Sequence, residues 1–237
     1  MMEAGERPSM KHVRRRALFV AVAVFVCAAT AVAALAAAIG SGGINITSTA
    51  RPPDHCAGII PAHASPVDHD GDGVDDQEDI LRGALSYVAT KPRYRSTYYA
   101  SGYPSDGFGV CTDVVAFALH AAGYDLMALV ADDVSATPEA YGIETPDAAI
   151  DFRRTANLEV FLARHATALT CDASELEEWQ GGDIVLYEGH VGIVSDRRTM
   201  RGVPYLIHHA SPFQLAYEED ALERCGAIVG HFRWTPK

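Results

Sequence analysis

The chain has 237 residues, 49% of them hydrophobic, which is enough for one sizeable domain with its own core plus an appendage. Its formal net charge is −12, and five of its 19 Lys and Arg residues fall within the first 16 positions, so the remainder is more acidic still and has no basic stripe for nucleic acid. The same acidity would be repelled by anionic lipid, so any membrane contact must come from the N-terminal segment.

Residues 1–16 hold Arg7, Lys11, Arg14, Arg15 and Arg16, a basic tail that belongs on the cytoplasmic side. Residues 17–40, "ALFVAVAVFVCAATAVAALAAAIG", carry no charge and are long enough to cross a bilayer. They read as a transmembrane anchor, with a cleaved signal segment as the rival, because "AVAALAAA" offers small-residue cleavage sites. Either reading places the rest of the chain outside the cytoplasm: on the outer face of the inner (cytoplasmic) membrane, or secreted or periplasmic after cleavage. Cys56, Cys111, Cys171 and Cys225 then lie in an oxidising compartment, where two disulfides would be one use for them. If Cys111 is kept free for chemistry, at most one bridge remains among the other three.

Residues 41–66 are rich in Gly, Pro, Ser and Thr without periodicity, as in a linker. Residues 67–80 contain "DHDGDGVDDQEDI", in which Asp68, Asp70 and Asp72 alternate, Gly73 follows, and Asp79 closes a 12-residue frame. An EF-hand loop needs oxygen ligands at positions 1, 3 and 5, a Gly at 6 and a carboxylate at 12. Asp68, Asp70, Asp72, the Val74 carbonyl and Asp79 are therefore candidate Ca²⁺ ligands, with Asp76 at position 9. The segment resembles a dockerin-type loop in having Asp at position 12, and its expected role is structural. No organic cofactor is implied.

The folded domain is expected over residues 78–237. "LRGALSYVATK" reads as a helix, and "CTDVVAFALHAA" as another, from Cys111 to Ala122, stopped by Gly123. Residues 124–156 look irregular because Pro138 and Pro146 interrupt them. "NLEVFLARHATAL" reads as a helix capped by Asn157. From Gly182 onward "DIVLY", "HVGIVSD", "PYLIHHAS" and "AIVGHFRW" are short β-rich runs, expected to form a meander of antiparallel strands. Helices first and strands afterwards make an α+β domain.

Cys111 is placed like a nucleophile. A helix N-terminus favours the thiolate, and Gly109 just before it lets backbone approach closely. A base and an orienting group are then required. His190 opens a strand directly after the turn "EG", and His208 and His209 sit together on the next one. Adjacent strand residues point to opposite faces, so only one of that pair can address His190.

"GVCTDVV", "WQGGDIVLYEGHVGIVSD", "LIHHAS" and "GHFRW" together resemble the NlpC/P60-type, papain-like cysteine peptidase superfamily, and within it the bacterial domain-of-unknown-function family 1287, over roughly residues 78–235. The resemblance implies a nucleophile helix packed on an antiparallel sheet, with Cys111 as nucleophile, His190 as base and His208 as the third member. His209 instead fits the "HAS" ending of broader relatives. It also implies cleavage of amide bonds in peptidoglycan or other envelope peptides, which makes these the expected substrate partners. The chain departs from the broader pattern in having Val110 and Thr112 around the cysteine where Asp and Ser are usual. Two other readings stand beside it: an inactive Ca²⁺-dependent envelope-binding module, and a metallohydrolase using His190, His208 or His209 with Asp196.

Overall fold

The computed structural model describes residues 10–235, with only the backbone of residues 11–17. The tail expected over residues 1–16 therefore lies largely outside the described residues. The chain divides into two compact units, residues 1–44 and 45–237.

Among the described residues the first unit holds one helix, α1 (Met10–Gly40). Its stretch Leu18–Gly40 is 23 residues of mean hydropathy 2.7, with none of the most apolar window buried, so it is long and apolar enough to cross a membrane. A signal segment near an N-terminus has the same character.

The second unit begins at residue 45, well before the expected boundary at 78. The segment expected to be a linker lies along the domain from residue 45 onward. Thr47 donates to the Gln214 carbonyl at 2.9 Å, Ser48 bridges Ala216, and the Arg51 guanidinium pairs with Glu218 at 2.7 Å and with Asp196. Composition alone suggested flexibility. Long-range polar partners, invisible to composition, fix the segment instead.

Helix α2 (Asp76–Ala89) starts inside the acidic segment. Asp75 is its N-cap, accepting from the Gln77 and Glu78 backbone N–H groups. A short parallel pair, β1 (Arg93–Tyr94) and β2 (Phe108–Gly109), leads to α3 (Cys111–Ala121), which ends just before Gly123 as expected. The stretch expected to be irregular holds α4 (Leu126–Ala136) and two short helices, α5 (Pro138–Tyr141) and α6 (Ala148–Asp151). Asp125 caps α4 through its side chain, and Pro138 sits at the first position of α5, where it costs no hydrogen bond. Helix α7 (Thr155–His165) starts two residues before the Asn157 cap that the sequence suggested. Asn157 is inside the first turn, donating to the Asp151 carbonyl at 2.9 Å.

Strands β3 (Thr167–Ala168), β4 (Ile184–Tyr187), β5 (His190–Arg198), β6 (Pro204–Ile207), β7 (Glu218–Glu219) and β8 (Ile228–Arg233) form one antiparallel sheet in the order β3-β8-β4-β5-β6-β7. It is not a simple meander, because β8 returns to pair with β4. The sheet alternates as period two requires. Ile184, Leu186, Val191, Ile193 and Ile207 join the core shared with Val114, Leu119 and Leu158 of the helices, while Val185, Tyr187, Val194 and Leu206 pack with Trp179 and Leu222 in a second core.

One buried carboxylate ties these layers. Asp183 accepts from the Gln180 backbone, Gln77, His231 and Arg233, all within 2.8–3.0 Å. His231 also stacks on Trp179 at 3.7 Å, so the histidine of "GHFRW" is a structural residue.

Candidate active site

Helix α3 packs its apolar face on β5, which brings its first residue, Cys111, to the start of that strand. Asp113, two residues on, accepts the Val110 N–H at 2.8 Å and takes a two-pronged ion pair from Arg153, at 2.8 and 2.9 Å. Both charges are buried, with side chains 0% and 2% exposed. Arg153 also donates to the Thr97 carbonyl at 2.8 Å, so the helix start is locked from two directions. No periodicity marked Arg153, because it lies in the stretch that read as irregular.

The backbone N–H groups of Val191, Thr112 and Cys111 itself lie close enough to the Cys111 sulfur to favour its charged form. Val191 directly follows His190 on β5. No hydrogen bond joins Cys111 directly to His190 or His208 among the described residues.

The expectation of a low-pKa thiolate does not hold in this resting site. Burial pushes the Cys111 thiol up to about 11, with Asp113 adding to the shift, and the three N–H groups pull the other way without overcoming it. His190 is pushed down to about 4, by burial first and then by His208 and His209. Both groups rest neutral, Cys111 as a thiol and His190 as an imidazole.

His190 is presented by the β4–β5 hairpin, where Tyr187 pairs with His190 and Gly189 adopts φ 74°, a conformation that suits glycine. Its Nε2 lies 2.9 Å from His208 Nδ1, and His208 Nε2 lies 3.1 Å from Glu219 Oε1. This chain of contacts fixes the protons. A carboxylate only accepts, so His208 carries its proton on Nε2 and offers the lone pair on Nδ1. His190 must then donate from Nε2, which leaves its Nδ1 as the free basic nitrogen. His208 rather than His209 meets His190.

His209 turns elsewhere. It is buried, edge-on to Tyr94 and Tyr217 at 5.3 and 5.2 Å, and its Nδ1 has no hydrogen-bond partner. Tyr94 lies near the sulfur, and Cys111 helps raise its phenol. Glu219 escaped the sequence reading because β7 is two residues long and lies in an acidic run that looked like a connection. Asp196 is not brought to the histidines. It pairs with Arg51 and stands six residues along β5 from His190, on the order of 20 Å at the usual strand rise. All five cysteines are unbridged.

The paired shifts have a stability consequence. His190 and His209 are both held near 4, below the value of about 6.5 that they take in the unfolded chain. The unfolded state therefore binds more protons between those values, so this contribution is full above pH ~6.5 and is lost as pH falls toward ~4. Asp79, raised to about 6, works in the opposite sense in part of that window, one group against two. The urea midpoint is expected to fall between pH 7 and pH 4.5. A constant midpoint across that range would contradict these protonation states.

The acidic loop has the expected shape in part. Asp68, Asp70 and Asp72 bring carboxylate oxygens within 4.8 Å of one another, and Gly73 turns at φ 94°. Asp68 accepts from Gly71 and Gly73, and Asp72 from Val74. Asp79, in the first turn of α2, is raised by burial and then by Asp72, Asp70 and Asp68, so its carboxyl faces the same charges. Asp76 is not available to an ion. Its oxygens take the His69 N–H at 2.8 Å and the Tyr124 hydroxyl at 2.6 Å.

Residues 81–234 match the family described as Domain of unknown function (DUF1287). The chain is 34% identical over 171 residues to the Uncharacterized protein YijF of Escherichia coli (strain K12), covering 67% of this chain and 82% of that protein. No solved structure matches it.

Proposed function

We propose a function from the premise that the chain belongs to the DUF1287 family: its folded unit is a cysteine-dependent hydrolase of amide bonds, of the NlpC/P60 type, working on peptidoglycan or other envelope peptides. The observation that carries this reading is the line of contacts from Glu219 through His208 to His190, the residue before Val191, whose backbone N–H lies near the Cys111 sulfur. Cys111 attacks the carbonyl carbon as His190 Nδ1 takes its proton. The same proton then goes to the leaving amine, and water releases the acyl group from sulfur. N–H groups of the first turn of α3 supply hydrogen bonds for the oxyanion. His208 keeps His190 in the correct tautomer, and Glu219 does the same for His208. With α1 as anchor and the basic tail inside, the hydrolase stands outside the cytoplasmic membrane.

Alkylation of Cys111 tests this pairing. A neutral thiol–imidazole pair and its thiolate–imidazolium form differ only in where one proton sits, so their ratio is independent of pH between the two ionisations. Iodoacetamide should therefore modify Cys111 with a pH-independent component that levels the rate off at low pH, beneath the component that rises as the thiol itself ionises. In His190→Ala the rate should drop and rise only as the thiol itself ionises. An identical pH profile in both proteins would remove His190 from the mechanism.

Calcium is the proposed structural ion, held by Asp68, Asp70, Asp72, Asp79 and the Val74 carbonyl, because three of the carboxylates already converge and Asp79 feels their charge. Binding to the folded state alone stabilises it by about 2.7 kcal/mol at 100 times the dissociation constant. For a unit of this size that is a rise in Tm of roughly 5–10 °C in Ca²⁺ relative to EGTA. Superimposable melts would exclude the site.

A further inference from the structure

His190 and His208 have a third neighbour that the hydrolase reading leaves unused. Cys225, in the connection from β7 to β8, brings its sulfur to the two imidazoles, and one ligand atom from each of the three residues lies within 4.8 Å of the others. The thiol is half-buried, and burial and then Glu219 hold its proton on. Two imidazoles and a thiolate form a donor set suited to zinc. Around tetrahedral Zn²⁺, with bonds of about 2.0–2.3 Å, neighbouring ligand atoms stand roughly 3.3–3.7 Å apart. The His190–His208 contact of 2.9 Å needs to open by a few tenths of an ångström, and Cys225 needs to close by at most about 1 Å to meet that spacing. A second feature points the same way. His208 Nε2 is 3.1 Å from Glu219, and a metal-bound histidine usually gives its other ring N–H to a carboxylate in this manner.

We propose that His190, His208 and Cys225 form a binding site for a zinc-like divalent cation, and that its occupation switches off the Cys111 relay. The switch follows from where the protons go. Bound metal takes the lone pairs of His190 Nε2, His208 Nδ1 and the Cys225 sulfur. Cys225 releases its proton to solvent, and the single proton of His190 moves through solvent from Nε2 to Nδ1. Nothing is oxidised or reduced. His190 Nδ1, the nitrogen that must accept the Cys111 proton, is now protonated. Metal and catalysis thus require opposite tautomers of one imidazole. The inhibitory consequence rests on the hydrolase reading, whereas metal binding does not.

The test uses the full chain in detergent, stripped with chelator, dialysed and titrated with Co²⁺. It is run in the Cys111→Ala background, so the nucleophile cannot supply the sulfur and no hydrolase activity is needed. A thiolate-to-cobalt charge-transfer band should grow in, and Cys225→Ser and Cys225→Ala should both lose it while keeping the far-ultraviolet spectrum of the folded chain. Absence of the band in the parent, or its persistence in both Cys225 variants, would overturn the site. With Cys111 present, saturating Zn²⁺ should slow alkylation of Cys111 to the rate of metal-free His190→Ala, and Cys225→Ser should relieve that effect. Alkylation unchanged by Zn²⁺ would overturn the switch. If metal-free alkylation proves independent of His190 while the cobalt band is present, it is the hydrolase reading that fails.

Discussion

Replacing His190 with alanine is expected to lower kcat for amide cleavage by roughly 10²–10⁴-fold, the usual worth of a positioned general base, with little change in KM. Cys111→Ala should remove turnover altogether, because it removes the proposed nucleophile from the start of α3. His208→Ala should fall between the wild type and His190→Ala. The base would keep its place in the hairpin but lose the partner that fixes its tautomer, 2.9 Å away. His209→Ala should retain the catalytic machinery, since His209 packs on Tyr94 and Tyr217 and makes no hydrogen bond to His190. Steady-state kinetics on the four variants at saturating substrate would check the order. Collapse of His209→Ala alongside an active His208→Ala would move the relay by one residue.

Asp113→Ala carries the largest expected loss of stability. It leaves the Arg153 guanidinium, only 2% exposed, without its carboxylate in the core. Removing one partner of a buried pair typically costs about 3–5 kcal/mol, a large part of the roughly 5–15 kcal/mol that holds a domain together. The Val110 N–H loses its acceptor as well, so the start of α3 and the Cys111 sulfur should shift with it. Asp113→Leu combined with Arg153→Met should cost less than either single change, because no orphan charge remains. Urea unfolding of Asp113→Ala, the two single changes and the double change measures this against the wild type. A loss below about 1 kcal/mol in Asp113→Ala would mean that water reaches Arg153.

Local chemistry explains what the sequence made legible. Cys111 to Gly123 announced a helix at both ends, and "EG" before "HVGIV" announced a hairpin that places His190 at a strand's first residue. Alternation correctly kept His208 and His209 from sharing a partner. The α+β layering was readable because apolar period changes from helical to two near residue 182. Features set by distant partners were not readable. Glu219 reaches His208 from the far side of β6, Cys225 reaches the histidines from the connection between β7 and β8, and Arg153 reaches Asp113 across 40 positions. The strap from residue 45 was hidden because Gly, Pro, Ser and Thr look the same whether a chain is free or pinned by Arg51 to Glu218. Asp76 counted as a metal ligand by spacing until Tyr124 and His69 claimed its oxygens. The thiol's protonation followed burial rather than the helix end, and burial is a property of packing that no local motif encodes.

The most direct measurement is digestion of purified peptidoglycan by the full chain in Ca²⁺-containing, zinc-free buffer, with mass spectrometry of the released fragments. The wild-type protein should yield fragments with a new amine and a new carboxyl end at a stem-peptide amide bond, and Cys111→Ala should yield none. Cleavage by Cys111→Ala at the wild-type rate, or no amide cleavage by the wild-type protein, would contradict the assignment of Cys111 as the nucleophile of an envelope amide hydrolase.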